Sequence, residues 1–311
     1  MNLLSSLLLF LILSQTHVNS EQKPSINVGN ILVLPPAVQP SNDPSLEQLP
    51  SLNSLDPSIL AKGIDEMKKH KVVIAGITRN NASDLAITIK TIEYIGSFFA
   101  DYRVVVFEND SNDGTKEKLS DWKTRNPKIQ ILSEDYNIQK RPSIKFLADA
   151  RNKYIKAIQS EQYNDFDMVL LIDMDMSFGI DVRGIQDSFA RIDSWDGICS
   201  NGIFKNTGEM YDAFAFRNAE FPLPFPNEIY ATVNETLSKI QKIYPVGSNL
   251  VPVHSCFGGM AIYKRTGIAG CEYDSIAEDC EHVAFHQCAI IKNKMRMFMN
   301  PNQMIRYSHY Q

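Results

Sequence analysis

The sequence carries no excess of positive charge. Its 36 Asp and Glu residues outnumber its 31 Lys and Arg residues, which gives a formal net charge of −5 and a pI near 5.7. Proteins that bind nucleic acid or anionic membrane surfaces usually present a basic field to their partner. The composition therefore argues against a polyanionic partner, and we expect no nucleic acid to bind.

Cysteine is scarce, and no Cys-x-x-Cys pair occurs. This absence argues against zinc-ribbon and thioredoxin-like chemistry. The odd number of cysteines leaves at least one thiol without a partner in the chain, and at most two disulfides can form in an oxidising compartment. Buried free thiols are the alternative. The five residues are Cys199, Cys256, Cys271, Cys280 and Cys288.

The N-terminal apolar run, residues 3–13, is too short to span a membrane comfortably. Small residues placed for cleavage follow at Val18-Asn19-Ser20. Residues 1–20 therefore read as a signal peptide or a short signal-anchor, which would associate the N-terminus with a membrane. We expect the protein in the lumen of the secretory pathway (ER or Golgi) or outside the cell, with a cytoplasmic protein as the alternative.

Proline marks a linker after this segment. Residues 21–57 hold seven of the fifteen prolines and show no sustained apolar period. Such a stretch cannot bury enough apolar surface to become ordered. We predict a Pro-rich linker or stalk over residues 21–63 and one folded domain over residues 64–311.

From residue 71 onward, apolar strands alternate with amphipathic helices. The predicted strands are Lys71–Thr78, Tyr102–Phe107, Ile129–Leu132 and the run that ends at Ile172, and one predicted helix covers about 144–159. This order predicts an α/β fold with a mostly parallel sheet flanked by helices. Residues 181–311 are less regular, with an aromatic and Pro-rich stretch at Phe214–Pro226 and one strand at Phe257–Tyr263.

Two carboxylates end the most apolar strand. Asp173 and Asp175 directly follow Val169-Leu170-Leu171-Ile172, at the end of a strand where parallel sheets place their chemistry. Residues i and i+2 of a strand share a face, so both side chains can reach one divalent cation. Oxygen ligands suit Mg²⁺ or Mn²⁺. An Asp-rich turn that merely closes the strand is the alternative.

Four segments fall at the same predicted sheet edge: Ile77-Thr78-Arg79-Asn80, Glu108–Thr115, Ala150-Arg151-Asn152 and Asp173-Met174-Asp175. Their order and spacing resemble the nucleotide-binding half of GT-A glycosyltransferases of the family 2 type and their Mnn9-like mannosyltransferase relatives. The resemblance covers about residues 71–180. It implies a GT-A fold with a Rossmann-like sheet, a nucleotide-sugar donor bound by residues 71–180, and an acceptor-binding half over residues 181–311.

The resemblance also assigns residues to the donor and to a metal ion. It implies donor contacts from Thr78, Arg79, Glu108, Asp110, Asp113, Arg151 and Asp173. In family 2 enzymes the second of these segments usually opens with paired aspartates, whereas this chain has Glu108-Asn109-Asp110. A capped turn is the alternative for these carboxylates, and a structural ion pair is the alternative for Arg151.

A second polar cluster lies near the C-terminus, at Ala277–His286. If this segment is helical, His282 and His286 share a face at i and i+4. The resemblance implies a metal ligand from His282 or His286, and a catalytic carboxylate near the acceptor from Asp279 or its neighbour Glu278. Structural roles for both histidines are the alternative.

These features predict a metal-dependent hexosyltransferase. It would use Mn²⁺ or Mg²⁺ to move a sugar from a UDP- or GDP-sugar to a hydroxyl of a glycan or glycoprotein. The residues do not decide between inversion and retention of the anomeric configuration. A sugar-phosphate nucleotidyltransferase is one alternative, although it would need a Gly-rich loop after the first strand that this chain lacks. An inactive carbohydrate-binding protein is another.

Overall fold

The computed structural model describes residues 55–138, 142–176, 179–204, 210–219, 244–274 and 279–307. The helices are α1 (Pro57–Met67), α2 (Ala82–Gly96), α3 (Thr115–Arg125), α4 (Ile144–Ile158), α5 (Val182–Ala190) and α6 (Glu281–Asn293). The strands are β1 (Lys71–Thr78), β2 (Asp101–Glu108), β3 (Ile129–Ser133), β4 (Met168–Ile172), β5 (Gly197–Phe204), β6 (Val251–Pro252), β7 (Met260–Lys264) and β8 (Met297–Tyr307). Among these residues, no helix is long and apolar enough to cross a membrane.

The strands form one sheet in the order β3-β2-β1-β4-β7-β5-β8-β6. Strands β1 to β4 run parallel to one another, as do β5 and β8, whereas β7 and β6 pair antiparallel with their neighbours. The predicted α/β architecture with a mostly parallel sheet is therefore confirmed. Because β1 to β4 are parallel, their carboxyl ends and the loops that follow them meet at one edge.

Alternating residues of the central strands send apolar side chains to both faces of the sheet. In β1, Val73 and Ala75 join one buried cluster, which also contains Tyr154, Ile155 and Ile158 of α4 and Phe285 of α6. Val72 and Ile74 join a second cluster, with Leu85 and Ile92 of α2 and Phe189 of α5. The helices thus cover both faces, and the sheet edges stay available for chemistry.

Helix α1 begins before residue 64, where the sequence analysis places the start of the folded domain. Helix α1 starts at Pro57 with Asp56 as its N-cap, and it buries Leu60, Gly63 and Met67. It packs closely against α5, where a Cβ on Gly63 would come within 1.8 Å of the Gln186 carbonyl oxygen. The last seven residues of the predicted 21–63 linker are therefore helical, since proline at the first turn of a helix is compatible with helix formation. The rest of that linker, and residues 1–20, lie outside the described residues.

Two disulfides tie the C-terminal half together. Cys199 of β5 bonds to Cys256, and Cys271 bonds to Cys288 of α6. Cys280 is a buried free thiol. The pairing matches the predicted maximum of two disulfides with one thiol left over. The half that the sequence described as irregular also supplies β5, β6, β7 and β8, while most of the Phe214–Pro226 stretch, from residue 220 onward, lies outside the described residues.

Candidate functional site

The two predicted metal-binding carboxylates lie at the carboxyl end of β4. The backbone N–H of Asp173 donates to the Gly259 carbonyl oxygen (2.9 Å), and the Tyr307 hydroxyl donates to Asp173 Oδ2 (3.1 Å). Met174, the residue between the two carboxylates, is buried, whereas the side chain of Asp175 is exposed. The sheet therefore presents both aspartates on its functional edge, with Asp173 partly buried and Asp175 exposed. We call this edge the cleft and the surroundings of Asp173 its floor.

Arg151 reaches this floor from α4. Its Nε donates to Glu281 Oε1 (2.9 Å), and its Nη2 lies 4.0 Å from Asp173 Oδ1. The guanidinium also lies over the rings of Phe257 and Tyr273, 5.3 and 5.7 Å from their centroids. Buried guanidinium needs such partners because an unpaired charge is costly away from water. The main partner of Arg151 is thus a carboxylate that the sequence analysis did not single out.

Negative charge exceeds positive charge on this floor. Burial and the neighbouring Asp175 raise the pKa of Asp173 well above its ordinary value, and the nearby Arg151 offsets only part of that rise. Burial, together with the charge of Glu281, raises the pKa of Asp212 to about 7. Crowded carboxylates of this kind are stabilised in their charged form by a cation.

The described residues contain no group of three or more His, Cys, Asp or Glu side chains placed to hold a metal ion. Mg²⁺ and Mn²⁺ do not require one, because they are commonly bound by one or two carboxylates and complete their shell with substrate phosphates and water. The oxygen donors of Asp173 and Asp175, short of positive charge, fit that mode of binding.

The predicted donor-binding carboxylates after β2 are engaged within their own loops. Glu108 is fully buried and accepts from Ser111 N (2.9 Å) and Ser133 Oγ (2.6 Å). Asp110, at a φ of 52°, accepts through Oδ1 from Tyr136 N (2.7 Å) and Asn137 N (2.6 Å). These bonds build the turn by side-chain-to-backbone pairing. The donor contacts predicted for both residues stay predictions.

Asp113 has a similar role. Its Oδ1 accepts from the backbone N and the hydroxyl of Thr115 (3.0 and 2.6 Å), and its Oδ2 accepts from Ala82 N (2.9 Å). It thereby joins the start of α3 to the start of α2, as an aspartate near a helix N-terminus often does. Its predicted contact with the donor also stays a prediction.

The end of β1 offers an unpaired polar atom. The Thr78 hydroxyl is buried and has no hydrogen-bond partner, which is uncommon for a buried oxygen and leaves it able to bond to a ligand. The neighbouring Arg79 donates from Nη1 to the Ile138 carbonyl oxygen (3.4 Å), so the guanidinium spans the gap between the loops after β1 and β3. Both residues lie where the sequence analysis expects the donor.

The predicted catalytic residue Asp279 lies in a buried ion pair. Its Oδ1 accepts from Arg217 Nη2 (2.5 Å) and from Cys280 N (2.7 Å). Burial raises its pKa, and the charge of Arg217 opposes that rise. Arg217 is itself fully buried, so the pair connects the segment before residue 218 to the start of α6. Glu278 lies outside the described residues.

The two candidate histidines differ in availability. His286 is fully buried, and its Nδ1 and Nε2 lie 2.9 Å from Ser255 Oγ and 2.7 Å from Tyr263 Oη. Because both ring nitrogens are hydrogen-bonded, a metal ion would have to displace one of these partners, and the predicted ligand role of His286 stays a prediction. These contacts come from tertiary packing, which the i, i+4 spacing does not report.

His282 has no hydrogen-bond partner on either ring nitrogen, although it is buried. Its ring stacks on Phe257 with centroids 4.1 Å apart. Burial lowers its pKa well below its ordinary value, and the charge of Arg151 lowers it further. The imidazole is therefore neutral, which is the form that binds metal ions.

Four site residues were missed from sequence. Glu281 pairs with Arg151, Arg217 pairs with Asp279, Tyr307 donates to Asp173, and the carboxylate of Asp212 interacts electrostatically with Asp173. Only Glu281 had a local signal, since it belongs to the C-terminal acidic cluster. The others lie in segments without a recognisable motif.

Comparison with known protein families shows which family this chain belongs to. The family described as Cryptococcal mannosyltransferase 1 matches residues 71–294, which is more than half of the chain and includes most of the cleft. The chain belongs to this family of glycosyltransferases. With the order of the sheet, this membership confirms the predicted GT-A fold class and places the chain among enzymes.

Several solved structures resemble the chain at low identity. The mannosyltransferase PcManGT from Pyrobaculum calidifontis, solved with GDP-Man and Mn²⁺, is 13% identical to this chain with a TM-score of 0.48. The match covers 79% of this chain and 59% of the PcManGT chain. S. aureus TarS 1–349 with UDP is 14% identical with a TM-score of 0.48, covering 77% of this chain and 60% of its own. This chain thus spans about 60% of the length of these structures. No curated protein matches it.

Proposed function

We propose that this member of the family transfers a mannosyl residue from a nucleotide-diphosphate donor to a glycan hydroxyl, with Mn²⁺ or Mg²⁺ as cofactor. Membership of the Cryptococcal mannosyltransferase 1 family supports the sugar. The observation that carries the cation is the placement of Asp173 and Asp175 directly after β4, with the Tyr307 hydroxyl donating to Asp173 Oδ2. The pair distinguishes this proposal from an inactive carbohydrate-binding protein.

Asp173 and Asp175 would hold the cation, while the ligand role predicted for His282 stays a prediction, because no group of three such side chains is placed for a metal ion among the described residues. A bound divalent cation neutralises the negative charge that develops on the leaving diphosphate. Arg151 bonds to Glu281 and lies 4.0 Å from Asp173, so its charge offsets part of the negative charge beside the cation. Tyr307 fixes the other carboxylate oxygen of Asp173.

The nucleoside would bind between the loops after β1, β2 and β3. The unpaired Thr78 hydroxyl and the Arg79 guanidinium supply hydrogen-bonding groups there, while Glu108, Asp110 and Asp113 keep the loops in shape. Preorganised loops of this kind reduce the ordering entropy that a ligand must overcome.

Acidic side chains line the opposite side of the cleft. Asp212 and Glu281 lie near Arg151, and Asp279 lies beyond them on Arg217. Negative charge beside a sugar carbon stabilises the positive charge that builds there as the glycosidic bond breaks. Asp279, which lies just before α6 with one oxygen held by Arg217, would be the carboxylate near the acceptor.

The decisive experiment measures nucleotide release from GDP-mannose, UDP-mannose and UDP-glucose by purified protein, with and without Mn²⁺. We expect turnover with a mannosyl donor that EDTA abolishes and Mn²⁺ restores, and we expect Asp173→Asn to remove it. Asp149→Asn, an exposed aspartate paired with Lys145 on α4, is the matched control and should keep wild-type turnover. Full activity in EDTA would refute the metal assignment, and release from UDP-glucose alone would refute the sugar.

We further propose that the protein acts in the lumen of the secretory pathway. Two disulfides support this location, because such bonds persist in oxidising compartments and are rare in the cytosol. Non-reducing peptide mapping of protein isolated from its own cells should recover Cys199 linked to Cys256 and Cys271 linked to Cys288. Recovery of all five cysteines as free thiols would contradict a lumenal location.

A further inference from the structure

We propose that the domain binds a fatty acid, a single apolar chain that ends in a carboxylate, in a cavity at the edge of the sheet opposite the cleft. The cavity has a volume of about 590 Å³ and is lined by Met168 at the start of β4 and by Lys264, its partner at the end of β7. The cleft lies at the other end of β4, after Ile172. The inference goes beyond the proposed function and does not depend on it, because none of the described residues that line this cavity belongs to the cleft.

The buried part of the cavity lining is entirely apolar. Three of its side chains belong to the cluster that packs with α4 and two to the cluster that packs with α2, so the cavity lies where the two clusters meet. The five residues are Ile158, Phe166, Met168, Ile192 and Ile268. Protein interiors are usually packed without voids of this size, whereas cavities of about 300–1,000 Å³ are typical of ligand sites. An apolar group inserted here would extend the packing of both clusters.

The outer part of the lining carries three basic side chains and one acidic side chain. His70 Nδ1 lies 2.5 Å from Asp167 Oδ2, and Lys264 Nζ lies 3.2 Å from Asp196 Oδ1, so each of these bases has a carboxylate partner. Arg265 has no carboxylate within 4.0 Å among the described residues. The cavity therefore has an excess of positive charge at Arg265, although the chain as a whole has a formal net charge of −5. A carboxylate would balance this excess.

Arg265 is held in place by neutral acceptors. Its Nη1 donates to the carbonyl oxygen of Tyr163 (2.8 Å), and its Nη2 donates to that of Ile158 (3.1 Å). Two longer bonds, from Nη2 to Ser160 O and Asn164 Oδ1 (3.3 Å each), complete the set. The Nε–H donates to none of the described residues. A fixed guanidinium with a donor to spare is suited to a charge-assisted hydrogen bond with a carboxylate.

The combination of an apolar interior and one outer cation suits an amphipathic anion. The chain of a fatty acid would cover the five buried side chains while its carboxylate stays at Arg265. A sugar or a nucleoside would bring hydroxyl and amide groups against a buried lining that has no polar partners for them. A small inorganic anion would leave the apolar lining uncovered.

The first test compares ligands that differ in chain and charge. Titration calorimetry on the full chain would use decanoate, 1-decanol, decyl phosphate and acetate, each below its micelle concentration. We expect decanoate to bind at least about tenfold more tightly than 1-decanol, because the alcohol has no charge for Arg265. Acetate, which lacks the chain, should not bind measurably. Binding of 1-decanol or decyl phosphate as tight as that of decanoate would overturn the choice of a fatty acid.

Two substitutions of Arg265 separate its charge from its structural bonds. Arg265→Gln and Arg265→Lys both disrupt the bonds to the carbonyl oxygens, but only the lysine variant keeps the charge. Arg265→Gln should weaken decanoate binding at least about tenfold, whereas Arg265→Lys should bind within about threefold of wild type. The control Arg125→Gln removes an exposed arginine at the end of α3 and should bind as wild type does. An equal loss in the two Arg265 variants would show that Arg265 only supports the structure, and the proposal would fail.

A photoreactive ligand locates the site without any substitution. The full chain would be irradiated with a decanoate that carries a diazirine on its chain, and the labelled peptides would be mapped by mass spectrometry. We expect label on residues 158–168, 192 or 264–270, and we expect excess decanoate to abolish it. Residues 3–13 are also apolar and are the main competing place for such a ligand. Label confined to them, or to any other segment outside the cavity, would refute the proposal.

Discussion

Replacing Arg151 with methionine should lower the free energy of unfolding of the domain. The substitution keeps a long apolar side chain but removes the charge that bonds to Glu281 (2.9 Å) and approaches Asp173 (4.0 Å). Side-chain exposure is 9% for Arg151 and 6% for Glu281, so water cannot take over the lost contacts. The variant leaves Glu281, Asp173 and Asp212 close together with a shortage of positive charge.

The magnitude follows from this burial. Removing one partner of a buried ion pair typically costs about 3–5 kcal/mol, because the remaining charge is left uncompensated. Loss of the guanidinium contacts with Phe257 and Tyr273 adds to this cost. For a domain of this size, each kcal/mol lowers Tm by about 2–4 °C. We therefore expect a fall in Tm of at least about 6 °C, and urea unfolding would give the free energy directly.

Arg296→Met is the matched control, because Arg296 also bonds to a carboxylate at 2.8 Å but is half exposed. Exposed pairs contribute about 0–1 kcal/mol, so this variant should lose little stability. The double variant Arg151→Met with Glu281→Leu removes both charges, and it should recover part of the loss. If Arg151→Met costs no more than Arg296→Met, the view of Arg151 as the charge that stabilises the cleft is wrong.

Three further predictions concern Asp173, Asp212 and the glycosylation sequons. Asp173→Asn should lose Mn²⁺-dependent turnover yet unfold at or above the wild-type temperature in EDTA at pH 7.5, since it removes a crowded charge; a lower Tm would contradict this. Because the pKa of Asp212 is raised to about 7, its contribution to the free energy of unfolding is full below about pH 4 and is lost as the pH rises toward 7. In urea titrations, Asp212→Asn should therefore lose less stability than wild type between about pH 5 and 7.5. The chain has N-glycosylation sequons at Asn81, Asn109 and Asn234. In a eukaryotic secretory host we expect a glycan on Asn234 alone, because Asn81 and Asn109 are buried and their amides donate to Met174 O and Asp110 Oδ2. Peptide mapping after glycosidase treatment in ¹⁸O-water reports each site, and a glycan on Asn109 in active protein would contradict the fold.

The sequence predicts the donor side of the cleft well, because its signals are local. The predicted strand Lys71–Thr78 coincides with β1, and the helix predicted at about 144–159 is α4, Ile144–Ile158. Apolar runs in parallel strands and the stripe of an amphipathic helix both depend on neighbours within a few residues. The motif residues at the ends of these elements then meet at one edge because the strands are parallel.

Individual contacts are less predictable. Asn81 occupies the N-cap position of α2, but its side chain makes no capping bond. It instead donates to the carbonyl oxygen of Met174, 93 residues away (2.5 Å). Glu281 meets Arg151 across 130 residues, and Asp279 meets Arg217 across 62. Spacing along the chain carries no information about such pairs. His286 illustrates the same limit, since its partners Ser255 and Tyr263 come from outside its helix.

The two sides of the cleft therefore differ in how they are encoded, and this difference has a functional consequence. The donor side depends on the ends of four adjacent parallel strands, so a change there disturbs the sheet itself. The opposite side depends on residues that lie between the strands, such as Tyr211, whose ring stacks on Tyr307, and Asp212, which accepts from Gly258 N. These residues lie outside the parallel strands, so we expect substitutions there to alter the cleft locally while β4, Asp173 and the donor loops keep their places.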